Sequence, residues 1–370
     1  MEFSYWEKKQ WFTQIDVAIK GSGIVELSTA IYIKKNHPEY KILILERGVL
    51  PQGASTKNAG FACFGSISEL LSDLNNHTPE EIYSLVEQRY NGIQQLRGLV
   101  GDKTLDFQVH GGHEVFLEKD IHVYEECKEK MGFFNELLHP IFNKDVFRLM
   151  PNTYKFASVL SNYITHIEEG QINTGAMLYG LLKKAQSMGI QMVNGIEVLQ
   201  IEDQTNQVNI ETNLNCFTAA KICVTTNGFA SQLLKLDVKP ARAQVLITQP
   251  IHQLPIQGTF HLEQGYYYFR NIDNRILLGG GRNLDIAGET TTAFGKTAVI
   301  QEQLEQLLKH TILPNKEVII DHRWSGIMGV GQQKKPIIKA VSPNVYCGVR
   351  MGGMGIAIGA AVGKELANLI

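Results

Sequence analysis

Residues 16–48 read DVAIKGSGIVELSTAIYIKKNHPEYKILILERG: a short apolar run, a glycine turn, a longer mixed run and a second apolar run closed by an acid. Asp16–Ile19 has the length and apolarity of a buried strand. Gly21 and Gly23 permit a tight turn and close backbone approach, and Ile24–Asn36 follows as a helix whose N-terminus favours an anion. Lys41–Gly48 returns as a strand. Glu46 ends it 20 residues beyond Glu26, where an acidic side chain hydrogen-bonds a ribose hydroxyl. This order binds a dinucleotide whose adenosine carries no 2′-phosphate.

Two charges break the pattern. Glu26 stands where a third glycine normally lets the helix lie close on the first strand, and Lys20 ends that strand. A carboxylate about 5 Å from a phosphate charge, at an effective dielectric near 20, is repelled by about 3 kcal/mol, or two decades in affinity. Lys20 and Glu26 flank one turn, and the reading expects them to pair and cancel much of that field.

The chain has 370 residues and a net charge of −2, with the composition of an ordinary globular protein and room for two linked cores. Interspersed charge leaves no basic footprint for nucleic acid and no polybasic patch for a membrane, so a small substrate is expected. Cys63, Cys127, Cys216, Cys223 and Cys347 are scattered without a CxxC pair and read as reduced core residues. No run reaches the roughly 18 apolar residues of a membrane span, and MEFSYWEKKQWFTQ does not read as a leader, so a cytoplasmic location is expected.

Further along, Thr78-Pro79-Glu80-Glu81 supplies an N-cap, a proline at the first helical position and a capping-box acid. A long helix follows with Ile82, Leu85, Val86, Ile93, Leu96 and Val100 on one face. VHGGHEVFLEKD turns into a strand, and a helix is expected from about His122 to Leu138. Asn173–Ser187 is a helix closed by Gly189, and IQMVNGIEVLQIE and KICVTT are strands. AQVLITQP, GTFHLE, GYYYFR and RILLGG alternate as an antiparallel sheet should, and they are the expected substrate platform. The final NVYCGVRMGGMGIAIGAAVGKELANLI is again strand, glycine turn and helix, the helix starting near Ile356.

Together these segments resemble the FAD-dependent family of D-amino acid oxidase, glycine oxidase, sarcosine oxidase and related amine oxidases, over nearly the whole chain. Four blocks carry the likeness: the opening turn, GASTKNAGF at Gly53–Phe61, Glu168–Glu202, and RWSGIMG through VRMGGMGIAIGAA. The resemblance implies an α/β fold of glutathione-reductase-like, D-amino acid oxidase type. A Rossmann-like FAD-binding domain (1–80, 165–232 and 322–370) is interleaved with an antiparallel-sheet substrate domain (81–164 and 233–321). It implies that Gly21, Ser22, Gly23 and Ile24 meet the pyrophosphate, and that Glu46, with Arg47 beside it, serves the adenosine ribose. Thr56, Lys57, Asn58 and Ala59 would face the pyrophosphate and flavin, and Val198 the adenine. Gly352, Gly353, Met354, Gly355 and Ile356 would line the pyrimidine edge of the flavin, with the helix N-terminus steadying negative charge.

Three departures from the family pattern bear on chemistry. Lys57 replaces a customary arginine, keeping the charge but losing the bidentate fork. RWSGIMGVGQQKKP lacks the cysteine of covalent-flavin members, so FAD is expected to be non-covalent. Ile327 and Met328 stand where glycine-oxidase-like members carry leucine and the arginine that grips a substrate carboxylate. An α-carboxylate must find another cation, or the substrate lacks one.

Tyr267 and Tyr268 are candidates for the substrate site, and alternation sends them to opposite faces, so cross-strand packing accounts equally well for either. Arg282 and Arg350, bracketed by glycines, are candidates to bind a carboxylate or polarise the flavin, with structural ion pairs as the alternative. His110 and His113 lack the further ligands of a metal site, and none is expected. Glu168 and Glu169, placed on a strand, point to opposite sides and cannot act as paired catalytic acids. No GxSxG elbow or Walker loop is present, which leaves oxidation. The implied reaction takes a small amine or amino acid, passes its α-hydrogen as hydride to the flavin and gives an imine that water hydrolyses. Oxygen or a quinone is the final acceptor. The competing reading is a degenerate member that Glu26 has left with weakened FAD binding and a non-catalytic role.

Overall fold

In a computed structural model describing residues 2–314 and 316–370, the apolar opening strand Ile15–Lys20 lies at the centre of an eight-stranded sheet. Met1 and Asn315, inside the expected domain ranges, fall outside the described residues. Ile42–Glu46 and Cys216–Val224 flank the opening strand in parallel, and Val345–Val349 continues the parallel order beyond Cys216–Val224. Val17 faces Ile42 across the first pair and Ile19 faces Ile44. Both faces are covered, which is why Ile42–Glu46 is buried throughout and carries no polar alternation.

The helix Ile24–Asn36 has the bounds read from the sequence, and it packs on Gly355–Ala367. Pro79–Val100 packs on Gly355–Ala367 in turn, and its start has the capping box that Thr78 and Glu81 predict. Close approach depends on Gly92, where a Cβ would collide with the carbonyl oxygen of Ala357. The helix beginning at Ile121 runs past the expected Leu138 to Phe142. It tolerates Pro140 because that residue lies in its last turn, and Asn143 closes it at φ 56°.

The second eight-stranded sheet has Lys239–Thr248, Arg275–Gly280, Tyr267–Ile272 and Thr259–Leu262 as its antiparallel centre, as the alternation implies. Two of the expected domain limits fall inside its strands. Ile320–Val330 pairs along the whole of Lys239–Thr248, so a limit at 322 cuts a platform strand. Asn162–His166 belongs to the same sheet, so a limit at 165 cuts another. Alternation alone does not say which sheet a strand joins. The expected strand at Glu168–Glu169 is a turn. Glu168 reaches outward to Lys144 at 2.8 Å, while Glu169 turns into the interior.

Candidate functional site

One elongated cavity of about 450 Å³ starts at the carboxyl ends of the parallel strands and runs to the face of the platform sheet. Such strand ends are where open α/β sheets bind ligands. At the glycine-turn end lie Gly21, Ser22, Gly23 and Ile24, with Glu46, Arg47 and Val198 across from them. The buried Glu46 carboxylate accepts from Ser22 Oγ at 2.6 Å and from the Gly48 N–H at 2.9 Å. The Arg47 guanidinium lies 4.1 Å from the Phe229 ring centroid.

Glu26 also faces this end. Its side chain folds back over the turn, so that a Cβ on Gly21 would stand 2.5 Å from Oε1 and one on Gly23 2.9 Å from Oε2. Burial pushes the Glu26 pKa up to about 8. The backbone of Gly23 and of Glu26 itself favours the charged form, nearby Glu46 opposes it, and burial outweighs them. The expected partner is elsewhere: among the described residues Lys20 makes no ion pair with Glu26. Burial lowers Lys20 to about 8, and the charges acting on it are Glu197, which raises it, and Arg47, which lowers it.

The middle of the cavity is built by Gly53–Gly60. Ser55 Oγ accepts the Ile24 N–H at 3.0 Å and so caps the opening helix. The Asn58 side chain donates to Ala54 O and Ser55 O and accepts from Gly60 N, which fixes the loop. Lys57, Asn58 and Ala59 line the cavity, and Trp324 Nε1 donates to Lys57 O at 3.0 Å. Thr56 does not line it; its hydroxyl donates to Pro51 O and Gly53 O within its own loop.

At the far end, Gly352, Gly353, Met354, Gly355 and Ile356 line the wall, with Gly352 and Gly353 at φ 57° and 86°. Asn227 Oδ1 accepts the N–H groups of Arg350 and Met351 and holds this turn at the start of the last helix. Tyr268 lines the cavity and Tyr267 points into the platform core, so alternation separates them as expected. Neither Arg282 nor Arg350 lines the cavity. Arg350 is a structural clamp, donating to Lys335 O, Asp237 O and, at 2.7 Å, Asp237 Oδ2.

Several cavity residues escaped the sequence reading. His261 pairs across strands with Tyr268, and Phe61 meets both rings edge-on at 5.2 and 5.7 Å. Burial lowers His261 to about 4, so it is neutral at pH 7, and its Nε2 has no protein partner. Alternation in GTFHLE was the available signal, since core-facing Phe260 and Leu262 send His261 to the other face. Glu69 also lines the cavity, held by Arg89 at 3.0 Å and Lys334 at 2.9 Å. Burial pushes Glu69 up, yet these two cations outweigh it and hold its pKa at about 2. Lys334 bridges on to Asp73 at 2.6 Å. Buried Glu169 accepts from the N–H groups of Phe64 and Gly65, and Glu114 accepts from Ser68, so the segment leading to Glu69 is pinned on three sides.

His110 and His113 form no metal site, and no cluster of three or more metal-ligating side chains exists among the described residues. His113 Nδ1 instead bonds Thr165 Oγ1 at 2.8 Å inside the platform. Among the described residues no helix is long and apolar enough to cross a membrane.

With this geometry in place, comparison with known proteins is informative. A model of the FAD dependent oxidoreductase family (DAO) matches residues 16–369. A protein named "Probable oxidoreductase OrdL" from Rhizobium meliloti (strain 1021) is 24% identical over 96% of this chain and 82% of its own length. Sarcosine oxidase subunit beta from the same organism is 22% identical over 90% of this chain and 78% of its own. The crystal structure of glycine oxidase from Geobacillus kaustophilus superposes with a TM-score of 0.76 at 18% identity, covering 96% of this chain and 94% of that one, which is a likeness of fold.

Proposed function

The chain belongs to the FAD-dependent oxidoreductase family, and from that premise we propose that it oxidises a small amine or amino acid with FAD held non-covalently. The observation that carries the reading is the single cavity joining a dinucleotide turn, a strand-end acid and a second glycine turn to an aromatic wall. The residues present suit FAD. Glu46 stands at a strand end as a ribose acceptor would, Gly352 and Gly353 leave open space beside the last helix, and that helix directs its N-terminus at the cavity. Glu26 is the one side chain in the way. Cys63 is the one cysteine along the cavity among the described residues, and burial raises its pKa well above the ordinary value, so it stays a thiol and unsuited to flavin attachment.

Bound FAD supplies a two-electron acceptor for the carbon beside the substrate nitrogen. The protein orients and desolvates. Phe61 and Tyr268 wall the substrate end, and burial raises the Tyr268 phenol to about 12, so it remains a hydrogen-bond donor at neutral pH. His261, neutral at pH 7, lines the same end with its Nε2 buried. Met328 and Ile327 present apolar surface where related oxidases grip a carboxylate, and Arg89 and Lys334 are already committed to Glu69. This balance favours an amine without an α-carboxylate over an amino acid. Oxygen or a quinone then takes the electrons, and a cytoplasmic location suits the reduced cysteines.

The test is anaerobic bleaching of the flavin band by matched amines and amino acids, followed by peroxide measurement on admitting air. Faster bleaching by the amines is expected; no bleaching by either class contradicts the reading. Glu26 favours a second reading, a non-catalytic binding protein of the same fold, and flavin content separates the two.

A further inference from the structure

The fingerprint turn of this chain already holds an acid of its own. The Glu26 carboxyl lies over Gly21 and Gly23, at the helix N-terminus whose first N–H is taken by Ser55, and the residue is 7% exposed. That is the place a pyrophosphate needs, since backbone approach at the two glycines is what the turn provides. Glu26 and a pyrophosphate must therefore share one anion position, and two like charges there repel.

We propose that this site binds FAD together with a proton on Glu26: the neutral carboxyl yields the turn and donates its O–H to a pyrophosphate oxygen, whereas the ionised carboxylate holds the turn against it. The inference rests on the reading of the cavity as an FAD site. Burial already lifts Glu26 to about 8, so the neutral form prevails at pH 7, and a bound pyrophosphate raises its pKa further. Binding then takes up a proton only above the free-protein value, and affinity is flat below it.

Among the described residues no cation forms an ion pair with Glu26, although Lys20, Arg47 and Lys57 line the same cavity. From the second strand Glu46 adds repulsion, and Arg47 beside it is engaged with the Phe229 ring. From the first strand Lys20 feels the charges of Glu197 and Arg47 and makes no ion pair with Glu26. From the last helix Gly359, which carries no ionisable group, lies against Ile24 at this end. Lys57, in the loop of Ser55, lines the cavity without an ion pair to Glu26.

FAD affinity of the flavin-stripped protein, measured by quenching of flavin fluorescence from pH 6.5 to 9.5, tests the proposal. The wild type is expected to hold a constant Kd up to about pH 8 and then to weaken towards tenfold per unit, as one linked proton requires. Glu26→Gln, whose amide still donates, is expected to lose that fall, and Glu26→Gly to lose it as well should the amide disturb folding. Lys20 titrates in the same range, so Lys20→Met is the control and is expected to keep the wild-type fall. A flat wild type, or a fall that survives in Glu26→Gln and vanishes in Lys20→Met, overturns the proposal. Absence of FAD binding in all four proteins at every pH overturns instead the reading of the cavity on which it rests.

Discussion

Arg89 is fully buried and donates both to Phe64 O and to Glu69, so its removal strands the carbonyl and leaves Glu69 to Lys334 alone. Arg89→Met is expected to cost about 3 kcal/mol in urea unfolding, as for other broken buried pairs. Lys334→Met touches the same carboxylate from a 42% exposed side chain and is expected to cost less than about 1 kcal/mol. Equal costs would mean that burial does not decide the strength of this cluster. Arg89 was legible in principle, since it falls on the stripe of Ile82, Val86, Ile93 and Leu96, where a charge is out of place. Glu26 was legible as an anomaly, yet its direction was not. A sequence shows that two charges flank a turn, and only the folded chain shows that they do not pair. Arg350 misled for a related reason: five donors on one guanidinium can be satisfied by nearby carbonyls with no ligand present.

Elements whose signals are local were read closely. The opening helix and the Thr78 capping box depend on neighbours three or four residues away, and each stands where the sequence puts it, while the helix read as Asn173–Ser187 runs Thr174–Ser187 with Asn173 as its N-cap. Thr78→Ala is expected to lower stability by about 1 kcal/mol, read as a shift in thermal midpoint. Close contacts between elements were not legible. Gly92 carried no signal in the sequence, but it lets Pro79–Val100 lie against the backbone of Ala357, which lines the cavity beside Ile356. Gly92→Ala meets backbone that cannot swing aside, so a loss of about 2 kcal/mol or more is expected together with weaker FAD binding. Full FAD affinity in a destabilised Gly92→Ala would show that the last helix keeps its position independently of this contact.

At the scale of the whole molecule, two sheets built from alternating visits of the chain close around one cavity. The visits were visible as segments, but the assignment of Asn162–His166 and Ile320–Val330 depended on pairing between strands far apart in sequence. Burial also gives the molecule an unusual pH profile. Glu26 is raised to about 8, and Glu114 and Glu169 to about 7, chiefly by desolvation. A carboxyl with a raised folded pKa contributes stability that is fully present below its ordinary value and lost as pH rises through the folded one. His113, His166 and His261, lowered to about 4, 3 and 4, act in the opposite sense only below about 6.5. Between pH 6.5 and 8 the carboxyls govern, so the urea midpoint of the flavin-free protein is expected to fall over that window, by up to about 1.4 kcal/mol per unit for each group still protonated. Glu26→Gln should remove one share of the fall.

The central claim is that the cavity holds FAD without a covalent bond, and the visible spectrum of the purified protein, before and after denaturation and filtration, tests it most directly. The account predicts a flavin band, native or restored by FAD at pH 6.5, that passes wholly into the filtrate on unfolding. A protein that stays colourless after incubation with excess FAD at that pH, or a band that stays with the unfolded chain, would contradict it.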